Sequence, residues 1–397
     1  MLKFILLPEG LMETPNARLH GLDTLRALAI LLVAIYHLQG LLPERLLPIA
    51  SVGWIGVDLF FVLSGFLIGT QLLKPYLEGG RPRLGEFYRR RAYRILPAFF
   101  AVLLLYFAVP AWREREGISA WWQFCSFTWN LYIDFPARLA FSHVWSLCVE
   151  EHFYLVLPVL VLWRMRRPSL AKTVAMLAGL VALGMAVRGY EWVHVVRPVV
   201  DPDRVFVPFM TRIYYPTYSR LDGLLMGVTL ALVRSFRPQW WTEAARRGHA
   251  LLALGLAMTG LALWMFGWGS PSPENAVSTV LGFPLLSLGL GVLVASSVSE
   301  NGWLRMRVPG ANLLATLAFS LYLTHKEIAH LDGLYLQHRL GYADGSWAAA
   351  AVYGVTCLLG AGLLYRCVEL PFMRLRDRRG RVTAEAVAEE MRAEPAL

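Results

Sequence analysis

The sequence predicts an all-α, polytopic membrane helix bundle of about ten transmembrane helices, with both termini in the cytoplasm. Three observations predict it. The 397-residue chain is 56% hydrophobic and only 17% charged, whereas charged residues make up about a quarter of an ordinary soluble domain. Its apolar runs recur along the whole chain, each close to the roughly 20 residues that carry a helix across the hydrocarbon, and none alternates as a barrel strand does. Most of the 38 Lys and Arg fall in segments that lie on one side if the chain starts in the cytoplasm, as the positive-inside tendency requires.

The spans read as 22–42, 52–73, 95–112, 143–163, 173–194, 213–233, 249–268, 277–298, 310–331 and 346–368. Ahead of the membrane domain, 18–375, lies a cytoplasmic segment, 1–17, and behind it a cytoplasmic tail, 376–397. "MLKFILLPEG" is too short, and broken too early by Pro8, to be a signal-peptide core, so the first span is expected to serve as an uncleaved insertion signal. That span, "LRALAILLVAIYHLQGLL", carries Arg26 and His37. Eleven residues at about 100° each close to within ~20° of three turns, so the two share a helix face about 16 Å apart along the axis.

The second span, "SVGWIGVDLFFVLSGFLIG", holds Asp58 near its outer end, where a structural role is as good a reading as a functional one. "GEFYRRRAYRILP" places Arg89, Arg90, Arg91 and Arg94 just before the third span. Arg91 and Arg94 are neighbours if that stretch is helical. Arginine forks fit phosphate, although basic clusters there also hold lipid headgroups or set topology. In the fourth span Ser146, Glu150 and Tyr154 follow at intervals of four, on one helix face. The sixth carries Arg220 and Asp222 in "SRLDGLLMG", and the ninth His325 in "FSLYLTHKEI".

A charge at mid-bilayer costs about 2.5–3.5 kcal/mol on insertion scales, so such residues face a bundle interior and pair with one another. Five spans placing a titratable group at comparable depth imply a polar pocket in the extracytoplasmic half, with at least one imidazole and one carboxylate. Ser146 and Tyr154 are also compatible with merely satisfying neighbours, and Glu150 and His37 with buried structural hydrogen bonds. The net charge of +10 reads as a topology signal and needs no nucleic acid. Cys125, Cys148, Cys357 and Cys367 show no spacing for a metal site or a disulfide framework. The aromatic stretches "WWQFCSFTWNLY" and "RIYYPTYS" fit an interfacial belt better than sugar-stacking platforms.

Taken together, these segments resemble the acyltransferase-3 family of integral membrane acyltransferases. The first-span pairing of Arg26 and His37, "VGWIGVDLFFVLSGFLIG", the Arg-x-x-Arg of Arg91 and Arg94, "WSLCVEEHFYLVLP", "SRLDGLLMG" and "FSLYLTH" occur in the family's order over roughly 18–375. Two positions depart from the family pattern: His152 stands where Gln is common, and Lys326 follows His325 where an apolar or aromatic residue is expected. The resemblance implies a stand-alone membrane domain that moves an acyl group, expected to be acetyl, from coenzyme A to a hydroxyl of a carbohydrate or glycosylated acceptor in a bacterial inner membrane. Acyl-coenzyme A is then a co-substrate, and no permanently bound cofactor or metal is expected. The resemblance further implies that Arg91 and Arg94, helped by Arg26, take the phosphates of the donor. His37 would act as base or acyl carrier, Glu150 would orient it, and Asp58, Ser146, Tyr154, Arg220, Asp222 and His325 would support the pocket. A transporter or flippase would share ten helices and a polar interior, but no internal repeat is visible. A non-catalytic scaffold would be indifferent to His37.

Overall fold

The computed structural model describes residues 20–135 and 137–378, without the side chains of Pro202 and Asp203; the expected N-terminal segment and most of the expected tail lie outside these residues. Among the described residues the chain is 79% helical and has no strands. Ten long helices stand at the ten expected positions. They are α1 His20–His37, α2 Ile55–Leu77, α3 Leu84–Ala108, α4 Trp145–Met165, α5 Leu170–Glu191, α6 Asp222–Phe236, α7 Gly248–Met265, α8 Phe283–Ser297, α9 Ala311–Tyr335 and α10 Trp347–Leu364. Among the described residues, seven helices are long and apolar enough to cross a membrane by length and composition. The three that fall short are α1, α6 and α9: α6 has 15 residues, whereas the equally short α8 is lengthened to 20 by the π turn Ser278–Gly282, and α1 and α9 carry charged side chains within them. The chain is an integral membrane helix bundle.

Helix ends depart from the expected spans where local chemistry overrides hydropathy. Helix α1 stops at His37 and gives way to 3-10 turns at Gln39–Leu41 and Glu44–Leu46, so His37 closes the helix instead of lying within a longer one. Helix α3 starts eleven residues before the apolar run, at Leu84, and a 2.6 Å Glu86–Arg90 ion pair one turn apart supports that extension. This makes the stretch with Arg91 and Arg94 helical. Helix α6 starts only at Asp222, after a π turn at Met210–Tyr214 and a 3-10 turn at Thr217–Ser219. Pro216 between them lacks the N–H that a continuing helix would use.

Helices α2 and α6 pack backbone on backbone, in parallel. A Cβ on Gly65 would lie 2.1 Å from the Leu224 carbonyl oxygen, and one on Gly227 would lie 2.2 Å from that of Val62. Gly65 and Gly69 on one helix, and Gly223 and Gly227 on the other, repeat the small-xxx-small spacing that lets membrane helices approach closely. Two buried ion pairs fasten the same region. Arg220 Nη2 donates to both carboxylate oxygens of Asp58 at 3.0 Å, while its guanidinium lies 4.1 Å from the ring centre of Phe283 and 4.6 Å from that of Tyr214. Arg188 of α5 forks onto Asp222 at 2.7 and 3.1 Å and also donates to the Ser219 carbonyl at 2.5 Å.

Gly227→Leu is expected to force α2 and α6 apart at a cost of about 1–3 kcal/mol or more, read as a lower melting temperature of the detergent-held protein. Asp58→Ala leaves Arg220 buried and unpaired, a loss of about 3–5 kcal/mol, whereas Asp58→Leu combined with Arg220→Met recovers most of it. Equal instability of the single and double variants would show that the pair does not carry this load.

Candidate active site

A cavity of about 360 Å³ lies between α1, α2, α3, α4 and α9. Its lining changes character along its length. Arg26, Gln71, Arg91 and Arg94 line one end, from the N-terminal turns of α1 and α3 and the C-terminal part of α2. Ser64, Glu150 and Tyr154 line the middle, and Ser146 and Tyr322 the other end, with Phe60, Phe61, Leu67 and Ile68 supplying an apolar wall. Six of the residues singled out in the sequence therefore converge here: Arg26, Arg91, Arg94, Ser146, Glu150 and Tyr154.

The basic end is organised by its neighbours. The Arg91 guanidinium lies 3.8 Å from the ring centre of Tyr154, and its Nη2 is 4.0 Å from a carboxylate oxygen of Glu151. Arg26 is 3.8 Å from Asp23 one turn earlier. Glu150 accepts hydrogen bonds from Ser64 at 2.9 Å and from Tyr154 at 2.7 Å. The carboxylate thus fixes the phenol that underlies Arg91. This departs from the expectation that Glu150 orients His37: its two oxygens accept from Ser64 and Tyr154, and the side chain that His37 bonds is His325.

The other end is closed by a hydrogen bond of 2.6 Å between Ser146 and the Tyr322 hydroxyl, which also donates to the His143 carbonyl. Behind that wall lie three imidazoles. His37 Nδ1 and His325 Nε2 are 2.8 Å apart, and the His143 ring centre lies 5.4 Å from that of His325 and 6.3 Å from that of His37. The Tyr322 ring centre is 5.4 Å from that of His143, so one aromatic side chain touches both compartments. His37 itself does not line the cavity, and the residue it bonds is His325 of α9.

Beyond the histidines a second polar cluster fills the bundle. Lys326 Nζ donates to Glu114 at 2.9 Å and to Ser142 at 3.3 Å, which accounts for the unexpected lysine after His325. The Tyr106 hydroxyl lies between the two carboxylates, 2.8 Å from Glu114 and against Glu327, and its single proton is shared between them. Ligand atoms of Glu114, His143 and Glu327 lie within 4.8 Å of one another. Lys326 and Tyr106 already engage the two carboxylates, so the cluster reads as a hydrogen-bonded network built around an ammonium and not as a cation site.

The other expected pocket residues lie elsewhere. Asp58, Arg220 and Asp222 are used in the buried ion pairs that join α2, α5 and α6, and none of them lines the cavity. Sequence reasoning missed His143, Tyr322, Ser64, Glu114 and Glu327. For two of them a signal existed: His143 is the first residue of the expected fourth span, and Glu327 is a carboxylate two residues past His325 within the expected ninth span. Nothing in the sequence marked Ser64 or Glu114, whose importance comes from partners on distant helices.

Comparison with known proteins identifies the family. The family described as an acyltransferase domain matches residues 19–366. O-acetyltransferase OatA of Staphylococcus aureus strain NCTC 8325 / PS 47 is 26% identical over 389 residues, covering 90% of this chain and 57% of its own length. OatA of strain COL matches to the same extent. A further Staphylococcus aureus strain COL protein, provisionally named an O-acetyltransferase, is 26% identical over 383 residues, 89% of this chain and 57% of its own. The chain thus spans 57% of the length of the curated relatives it matches. No solved structure matches it. With its motifs in family order and the family's domain spanning nearly all of its helices, the chain belongs to the acyltransferase-3 family of integral membrane acyltransferases.

Proposed function

We propose that the chain is a membrane O-acyltransferase that takes an acyl group from coenzyme A on the cytoplasmic side of a bacterial inner membrane. The group is passed to a hydroxyl of a carbohydrate or glycosylated acceptor on the extracytoplasmic side. The observation that carries this reading is the convergence of Arg26, Arg91 and Arg94 at one end of a cavity whose other end abuts His37 and His325 through Tyr322. The relatives are named O-acetyltransferases, which favours acetyl as the group moved.

The geometry supports a division of labour. Coenzyme A is polyanionic, and arginine forks bind phosphate through charge-assisted hydrogen bonds. A cavity of about 360 Å³ is at the small end of ligand sites, roughly 300–1,000 Å³. It therefore suits the slender pantetheine arm, with the nucleotide left at the mouth. The thioester then arrives at the Ser146–Tyr322 wall. Opening that wall admits the acyl carbon to His37, which takes the proton of the acceptor hydroxyl as its oxygen attacks. The new ester C–O bond forms, the C–S bond breaks, and the departing thiolate receives the proton from the imidazole. Held shut, the same wall keeps the two sides of the membrane separate.

Equilibrium binding of acetyl-coenzyme A to the nanodisc-held protein tests this first. Arg91→Ala combined with Arg94→Ala removes two charge-assisted contacts of about 1.5–3 kcal/mol each, so affinity is expected to fall at least about 10²-fold. His37→Ala should bind the donor as wild type does while transfer is abolished. Absence of saturable binding by folded wild type would replace the enzyme reading with that of a transporter. Tyr154→Leu removes the ring beneath Arg91, worth about 0.5–2 kcal/mol, and should weaken donor binding roughly 2- to 30-fold with the protein still folded. Unchanged donor affinity in Tyr154→Leu would mean that the ring does not serve the arginine.

A further inference from the structure

The hydrogen bonds around the two paired histidines decide which nitrogen of His37 is free to react. His325 Nδ1 lies 3.1 Å from the carbonyl oxygen of Leu321 and 3.0 Å from that of Tyr322, one turn back on its own helix. Carbonyl oxygens only accept, so the proton of the His325 ring is on Nδ1. The ring is fully buried, 0% exposed, and Lys326 is the next residue. An unpaired charge in such a place is among the most costly features a fold can hold, so the ring is neutral and its Nε2 bears a lone pair. That lone pair faces His37 Nδ1 at 2.8 Å. A contact of that length between two ring nitrogens needs one donor and one acceptor, so His37 Nδ1 carries the proton and its Nε2 is bare.

The geometry assigns His325 as a positioning residue that fixes the tautomer of His37, so that Nε2 of His37 is the atom that receives the acceptor's proton. This inference rests on the proposed transfer reaction for its use but not for its geometry. A chain of commitments runs from two backbone carbonyls, through His325, to the reacting edge of His37. It does with a neutral imidazole what a buried carboxylate does in a serine-hydrolase triad, namely hold the base in one tautomer and one orientation. The difference is electrostatic. A carboxylate stabilises the imidazolium that forms after proton transfer, whereas neutral His325 offers only a lone pair. The cationic form of His37 is therefore short-lived and returns its proton to the leaving thiolate. The His325 peptide is held in turn, since Cys357 Sγ of α10 donates to its carbonyl at 3.5 Å.

The test is nitrogen-15 NMR of histidine-labelled protein in nanodiscs, with His37 and His325 assigned from the signals lost in His37→Ala and His325→Ala. Both rings are expected to show a protonated Nδ1 and a bare Nε2. His325→Gln, which keeps an acceptor oxygen opposite His37, should retain that tautomer, and His325→Leu should release it. The release of free thiol from acetyl-coenzyme A by membrane vesicles of the expressing cells should follow the spectra. In His325→Leu kcat is expected to fall about 10²–10⁴-fold, the usual worth of a positioned base, with donor affinity unchanged and partial rescue in His325→Gln. A proton on Nε2 of His37 in the wild-type spectrum overturns the inference whatever the variants do, as does a His325→Leu protein whose His37 keeps its tautomer. Absence of donor binding by the same labelled wild type overturns the proposed function instead, so the two failures are told apart.

Discussion

Asp58 and Arg220 meet at 3.0 Å with almost no exposure to solvent, and much of the bundle is arranged around the need to keep that pair together. Neither charge is tolerable alone inside a bilayer, and each limits where its helix can go. The pair sets α2 beside the start of α6, and the glycines at 65 and 227 then let the two backbones close. Arg188 repeats the constraint one layer out by clamping Asp222, the first residue of α6, to α5. With α2 fixed, the face turned away from α6 carries Phe60, Ser64 and Gln71 into the cavity. The polar residues of this protein thus fall into two populations, one that neutralises itself to hold helices and one that is left facing space.

The cavity and the histidines are neighbours with a partition between them. Ser146 and Tyr322 bond across it, and Tyr322 also donates to the His143 carbonyl, so the partition is tied to α4, α9 and the turn ahead of α4 at once. A group transferred across a membrane must pass a point at which neither side is open to the other. A single hydrogen-bonded side chain is a cheap way to build one, since breaking one such bond costs on the order of 1 kcal/mol. At the arginine end of the cavity the lining is charged, with Arg91 steadied by Tyr154 and, through it, Glu150. Beyond the partition two imidazoles are paired by a hydrogen bond, and Lys326 with its Glu114 partner supplies the charge that borders them.

The fold class, the membrane setting and the approximate place of every long helix were determined by the sequence alone. Hydrophobicity summed over about 20 residues is a local quantity, and the backbone's own hydrogen bonds leave a membrane chain little choice but helix. The spacing of Ser146, Glu150 and Tyr154, and of Arg91 and Arg94, was legible for the same reason, because residues on one helix share a face whatever the rest of the chain does. Where a helix starts was less legible. Pro216 delays α6 and the Glu86–Arg90 pair extends α3, and neither effect registers in an average of hydropathy. Only the tertiary structure decided partners. Asp58, Arg220 and Asp222 look like pocket residues on their own helices and become ties because their counter-charges arrive from helices far along the chain. Glu150 turns toward Ser64 and Tyr154 and leaves His37 to His325, 288 residues away. A buried polar group must find a partner within about 3 Å, and which of several candidates reaches it depends on how ten helices pack, a property that no single segment carries.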